Sequence, residues 1–152
     1  MNPAVSDVNL DKSILVALIT ISCLMLVNAT LAFISAVDIL NIYNNFISYP
    51  DIPPYVLEIY ALWPAVSAAL IVWGGFELVS VCALVLFRNT TLWRVVLIAN
   101  YLNLALVPAC FLVTGFYSFW FTRLLTLKVV FSIISLIYLY LKKEDMLPPP
   151  MF

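Results

Sequence analysis

The hydrophobic positions of this chain fall into four long runs separated by short polar breaks. Ser13 to Val37 carries no charged residue, and only Asn28 and Thr30 interrupt it strongly. Leu62 to Phe87 carries one charge, Glu77. Leu92 to Gly115 holds Arg94, Asn100, Asn103 and Pro108, and Phe119 to Leu141 holds Arg123 and Lys128. A bilayer crossing needs about 20 mostly apolar residues, so each run is long enough. The pattern predicts an all-α integral membrane protein, a four-helix tetraspan bundle with antiparallel neighbours and both termini on the same side. The spans are placed at about 13–37, 62–87, 92–115 and 119–141 in one membrane domain.

The breaks have their own chemistry. Apolar positions continue past Val37 at helical spacing, through Ile39, Leu40, Ile42, Tyr43, Phe46 and Ile47. The first helix therefore runs beyond the membrane or bends into the interface, and it ends near Tyr49, because Pro50, Pro53 and Pro54 follow. Residues 38–61 form the outer loop. Pro64 falls in the first turn of the second span, where a missing N–H costs least. Ala61, Ala65 and Ala69 make a small-residue stripe at which another helix can approach closely. Gly74 and Gly75 thin the same helix just before Glu77. Arg88 to Thr91 is a tight turn, and Gly115 to Ser118 is another. Pro108 removes the hydrogen bond to the Leu104 carbonyl, which predicts a kink. Residues 142–152 form the C-terminal tail.

Lys and Arg set the orientation. Residues 38–60 carry Asp38, Asp51 and Glu58 and no Lys or Arg, whereas Arg88, Arg94, Lys142 and Lys143 gather at the other ends of the spans. Both termini and the Arg88 turn are thus expected on the cytoplasmic or matrix side. Tyr55, Tyr60, Trp63, Tyr117 and Trp120 are expected as the outer aromatic belt, and Trp93, Tyr138 and Tyr140 as the inner one. Arg88, Arg94, Arg123, Lys142 and Lys143 read as orientation anchors that snorkel to the faces.

Composition narrows the class. Of 152 residues 65% are hydrophobic and 10% charged, against about half and a quarter in a soluble domain. The net charge of −1 offers no field for nucleic acid. Histidine is absent, which removes the commonest metal ligand and general base. Cys23, Cys82 and Cys110 have no paired spacing and read as buried apolar thiols. The acids Asp7 and Asp11 and the long run that follows argue for a retained first span over a cleaved signal. Asn28-Ala29-Thr30 and Asn89-Thr90-Thr91 match the glycosylation pattern by chance, one within a span and the other on the inner side. No nucleotide loop, catalytic triad or paired carboxylates occur, so no enzyme, metal or cofactor is expected.

The intramembrane polar residues are the candidate site. At about 1.5 Å per residue, Glu77 lies about 24 Å from Ala61 and Asn100 about 14 Å from Thr91. In a core about 30 Å thick these levels are close. Lys128 falls near mid-membrane, Asn103 between them, and Asn28 a little further out. One layer is expected, with Glu77 paired to Lys128 and Asn100 and Asn103 completing the hydrogen bonds. Such a layer fixes which helix faces which, or forms a proton, ion or polar-ligand site, or pairs across a subunit interface.

In topology alone, the plan of four spans with a longer first outer loop is similar to tetraspan families, including claudin-like and MARVEL-like proteins. The claudin-type tryptophan and cysteine pair is absent from residues 38–60. The expected role is a non-catalytic accessory subunit of a larger membrane assembly, with other membrane subunits, or copies of itself, and lipids as partners. The alternatives are an oligomeric transporter or channel component built on Glu77 and Lys128, and a stand-alone membrane-organising tetraspan.

Overall fold

The computed structural model describes residues 3–114 and 119–147, with side chains from Lys12 onward except at 55, 56, 59, 119, 120 and 145. Its elements are all helical: α1 Pro3–Ile47, α2 Pro54–Tyr60, α3 Trp63–Phe87, α4 Thr90–Thr114, α5 Phe119–Leu141 and α6 Lys143–Met146. Four helices, Lys12–Ile47, Trp63–Phe87, Thr90–Thr114 and Phe121–Leu141, are long and apolar enough to cross a membrane. By length and composition this is a multi-pass membrane protein. Large apolar side chains cover its outside, with Val72 72% and Leu112 88% exposed. Hydrocarbon, unlike water, imposes no cost on such a surface.

α1 is longer than its apolar run. It is helical from Pro3, through the polar residues that precede Ser13, and continues unbroken past Val37 to Ile47. No glycine or proline occurs between Pro3 and Pro50 to stop it. Its 45 residues span about 68 Å at 1.5 Å each, more than twice a hydrocarbon core. Tight turns then close it, with Ser48 N–H donating to Asn45 O and Tyr49 N–H to Phe46 O. The outer connection, residues 38–61, is therefore mostly helix, being the end of α1 plus α2. Ile42, Tyr43 and Phe46 pack with Tyr60 and Trp63, and this cluster holds the projecting end of α1.

The turn between α3 and α4 is built from two residues. Arg88 takes a left-handed conformation (φ 43°, ψ 48°), and its N–H closes α3 on Leu84 O at 2.8 Å. A side chain there costs roughly 1 kcal/mol or more, and glycine is the usual solution. Asn89 then starts α4, its Oδ1 accepting from Thr91 N–H at 2.6 Å. The turn expected at 115–118 lies outside the described residues, as do Tyr117 and residues 148–152 of the tail.

α1 packs chiefly on α3 and also on α5, while α4 bridges α3 and α5. The α1–α3 contact uses small residues. Ala29, Ala32 and Ala36 are fully buried on α1, and Ser67 Oγ donates to Ala36 O at 2.8 Å. A Cβ at Gly74 would lie 3.2 Å from both Ala29 O and the Phe33 ring, so glycine permits this approach. Gly75 faces open space. The alanine stripe Ala61, Ala65, Ala69 is exposed instead. Equal spacing marks several small-residue faces, and only the partner helix selects one. Cys23 and Cys82 are likewise exposed and Cys110 is half-buried, because an apolar thiol in a lipid-facing span gains nothing from the interior. α4 continues through Pro108 as a single helix.

Two apolar clusters fill the interior. One gathers Ala17, Ile21, Met25, Leu84, Val96 and Leu139. The other gathers Ala36, Ile39, Trp63, Leu70, Val107 and Leu125. On the four long helices the buried polar residues Asn28, Glu77, Asn100, Asn103, Lys128 and Ser132 lie between the positions these clusters use.

Candidate functional site

Helical spacing puts polar groups on one face of each helix. Trp73 and Glu77 are four apart on α3, Asn100 and Asn103 three apart on α4, Lys128 and Ser132 four apart on α5. With Asn28 of α1 they converge between the two apolar clusters. Glu77 and Lys128 are 0% and 1% exposed.

The centre is an ion pair, Lys128 Nζ to Glu77 Oε2 at 2.7 Å. Lys128 Nζ also donates to the backbone carbonyl of Asn28 at 3.0 Å. Asn103 Nδ2 donates to Glu77 Oε1 at 2.5 Å and to Ser132 Oγ at 3.0 Å. Asn103 Oδ1 accepts from Trp73 Nε1 at 2.7 Å. Both carboxylate oxygens are thus occupied, and the ammonium holds two acceptors from two helices. One site ties α1, α3, α4 and α5 together.

Asn100 joins at one remove. Its Nδ2 donates to Val96 O at 2.8 Å and approaches Met25 Sδ at 3.1 Å. Its Oδ1 accepts from Asn28 Nδ2 at 3.4 Å. It touches neither charge directly and reaches them through Asn28. Asn28 itself, expected further out, sits within the layer. α1 has no charge between Lys12 and Asp38, so its depth against the other helices could not be read from residue types. The Asn28 Oδ1 and Ser35 Oγ atoms are buried without a hydrogen-bond partner.

Trp73 and Ser132 are members that sequence reasoning did not place in the layer. Trp73 reads from its type as packing, and nothing in the sequence singles out Ser132. Their signal was positional, since each lies one helical turn from a buried charge. The part played by the Asn28 backbone carbonyl leaves no trace in residue identity.

The orientation anchors Arg88, Arg94, Arg123, Lys142 and Lys143 stand apart from this layer. Arg88 Nε donates to Met146 O at 3.3 Å. Lys143 Nζ lies 5.2 Å over the Trp93 ring. Arg94 and Arg123 are exposed, and Lys142 is half-buried. Of the aromatic belt residues, Tyr60, Trp63 and Trp93 are buried, Tyr60 and Trp63 edge-to-face at 4.6 Å. The side chains of Tyr55 and Trp120 lie outside the described residues. The rings of Tyr60, Trp63 and Trp93 turn inward because edge-to-face and tilted contacts with other rings add to the apolar area they bury.

The described surface carries shallow concavities. A groove of about 390 Å³ runs between Ser22 and Leu26 of α1 and Cys82 and Val85 of α3, and a hollow of about 320 Å³ lies by Arg123 and Thr126. No residue of the polar layer lines either. Among the described residues no group of three or more Cys, Asp or Glu side chains is placed to hold a metal ion. No protein-family model, curated protein or solved structure matches the chain.

Proposed function

We propose that the chain is a non-catalytic subunit of a larger membrane assembly, an antiparallel bundle whose buried polar layer holds its helices in register while its apolar outer faces meet partner helices and lipid. The observation that carries this reading is the sealing of the ion pair. A transport site must be wetted from one side or the other, whereas Glu77 and Lys128 are closed off by α1, α4 and Trp73. A closed pair serves as an orientation lock, because any rotation of α3 or α5 would leave a charge unpaired in low dielectric. The direction of the helices is supported by the apolar clusters, which join the first half of α1 with the end of α3 and the start of α4. The Lys and Arg distribution supports placing both termini on the cytoplasmic or matrix side.

The test is purification of the tagged full chain from its native membrane in a mild detergent, with mass spectrometry of what remains bound through size exclusion. A fixed stoichiometric set of other membrane proteins is the expected result. A solitary monomer overturns the reading in favour of a stand-alone tetraspan.

A second reading has one observation in its favour. The unpartnered Asn28 Oδ1 lies beside the ion pair, and a polar solute or water could satisfy it in an oligomeric transporter or channel. A homo-oligomer whose Glu77 reacts with a water-soluble carbodiimide would establish that alternative.

A further inference from the structure

The flank shared by α4 and α5 carries a polar arrangement that the buried layer does not explain. Arg94, Ile98 and Tyr101 recur at i, i+4, i+7 on α4 and are all exposed. On α5 Ile137 and Tyr140 form the neighbouring exposed stripe, and Lys143 opens α6 just beyond it. The stripes are joined. Tyr101 Oη and Tyr140 Oη lie 3.1 Å apart. The Tyr140 ring meets Trp93 edge-on at 6.1 Å, and Lys143 Nζ sits over that same Trp93.

Two hydroxyls carry two protons, and their mutual hydrogen bond uses one. The other O–H finds no acceptor among the described residues. Both side chains are open to the outside, 47% for Tyr101 and 54% for Tyr140. In a span the outside is hydrocarbon, which accepts no hydrogen bond. Tyr140 lies one residue from the end of α5, at the level of the inner aromatic belt, where a lipid ester carbonyl or interfacial water is the acceptor at hand. The charge beside it selects the kind. Residues 88–94 and 142–145 hold four cations, Arg88, Arg94, Lys142 and Lys143, against the acids Glu144 and Asp145.

We propose that this flank binds an anionic phospholipid, with its phosphate between Arg94 and Lys143, a glycerol ester carbonyl accepting from the Tyr101–Tyr140 pair, and an acyl chain along Ile98 and Ile137. On α5 and α6 the order of groups matches the lipid's own: Lys143 at the end, the Tyr140 hydroxyl next, Ile137 further into the span. Lys143 keeps ammonium protons for a phosphate while its charge rests on the Trp93 ring. The site stands apart from the buried layer and does not depend on its role.

The test is native mass spectrometry of the purified full chain offered equal amounts of phosphatidylglycerol and phosphatidylcholine, then of ester-linked and ether-linked phosphatidylglycerol. Each basic residue near an anionic lipid is worth about fivefold in affinity, so the wild type should favour phosphatidylglycerol by roughly 25-fold. The double variant R94Q/K143Q should bring that ratio close to one. The double variant Y101F/Y140F should keep the charge preference and lose the preference for ester over ether linkage. These side chains are exposed, so the fold does not depend on them. Equal retention of the two lipids by the wild type overturns the proposal, as does a charge preference that survives R94Q/K143Q. A photo-crosslinker at Ile98 that captures a co-purifying protein in place of lipid overturns it too.

Discussion

The middle of the bundle and its Arg88 end both hold cations, and they treat them in opposite ways. In the middle, Lys128 is enclosed, bound to Glu77 Oε2 and to the Asn28 carbonyl, and the carboxylate's second oxygen is taken by Asn103. At the end, Lys143 lies exposed above Trp93, and Arg88 makes one long bond to Met146 O. Depth accounts for the contrast. Water competes at the end, so a loosely held charge there is nearly free of penalty. Nothing competes in the middle, so every donor and acceptor must be matched within the protein. The same charge is optional in one place and obligatory in the other.

The largest effect that tests this contrast is expected for Lys128→Met. It leaves Glu77 as an unpaired buried charge and should cost about 3–5 kcal/mol of stability. The double variant Glu77→Gln, Lys128→Met should recover much of that loss in denaturant or thermal unfolding in detergent. A double variant no more stable than either single would show that the two groups are not coupled.

Trp73→Phe is the intermediate case. It removes the donor to Asn103 Oδ1 without opening the ion pair, and should cost about 1–2 kcal/mol by the same unfolding measurement. A loss as large as that of Lys128→Met would mean that Asn103 swings away and releases Glu77 with it. The smallest effect belongs to the exposed end. Lys143→Gln should cost about 0.5 kcal/mol in a zwitterionic detergent, since a cation over an exposed ring contributes little. A larger cost would mean that α6 clamps the bundle end more firmly than its contacts imply.

The particular residues show what could be read in advance. Glu77 and Lys128 stood out because each is a charge inside an apolar run, and counting the rise per residue brought their levels together. Asn103 followed from the same count. Asn100 and Asn28 were harder, because two uncharged amides can bond to many things, and α1 offers no charge between Lys12 and Asp38 to fix its register. The alanine stripe at Ala61, Ala65 and Ala69 had the same spacing as the face actually used, where Ser67 and Gly74 meet Ala36 and Ala29. The length of α1 was legible only in part: its missing helix breakers argued for continuation, while its polar first residues argued against.

Hydrophobic runs, their breaks and their few charges were enough by themselves to determine the number of long apolar helices, their approximate limits, and which charges had to be neutralised. Those properties depend on one helix at a time against a lipid-like surround. The tertiary structure alone decided which face of each helix turns inward, that Trp73 and Ser132 complete the polar layer, and that a backbone carbonyl of α1 shares Lys128. Each of these depends on distances of about 3 Å between separate helices. A rotation of one residue position, about 100° on a helix, would replace every such partner while leaving each helix's own composition unchanged.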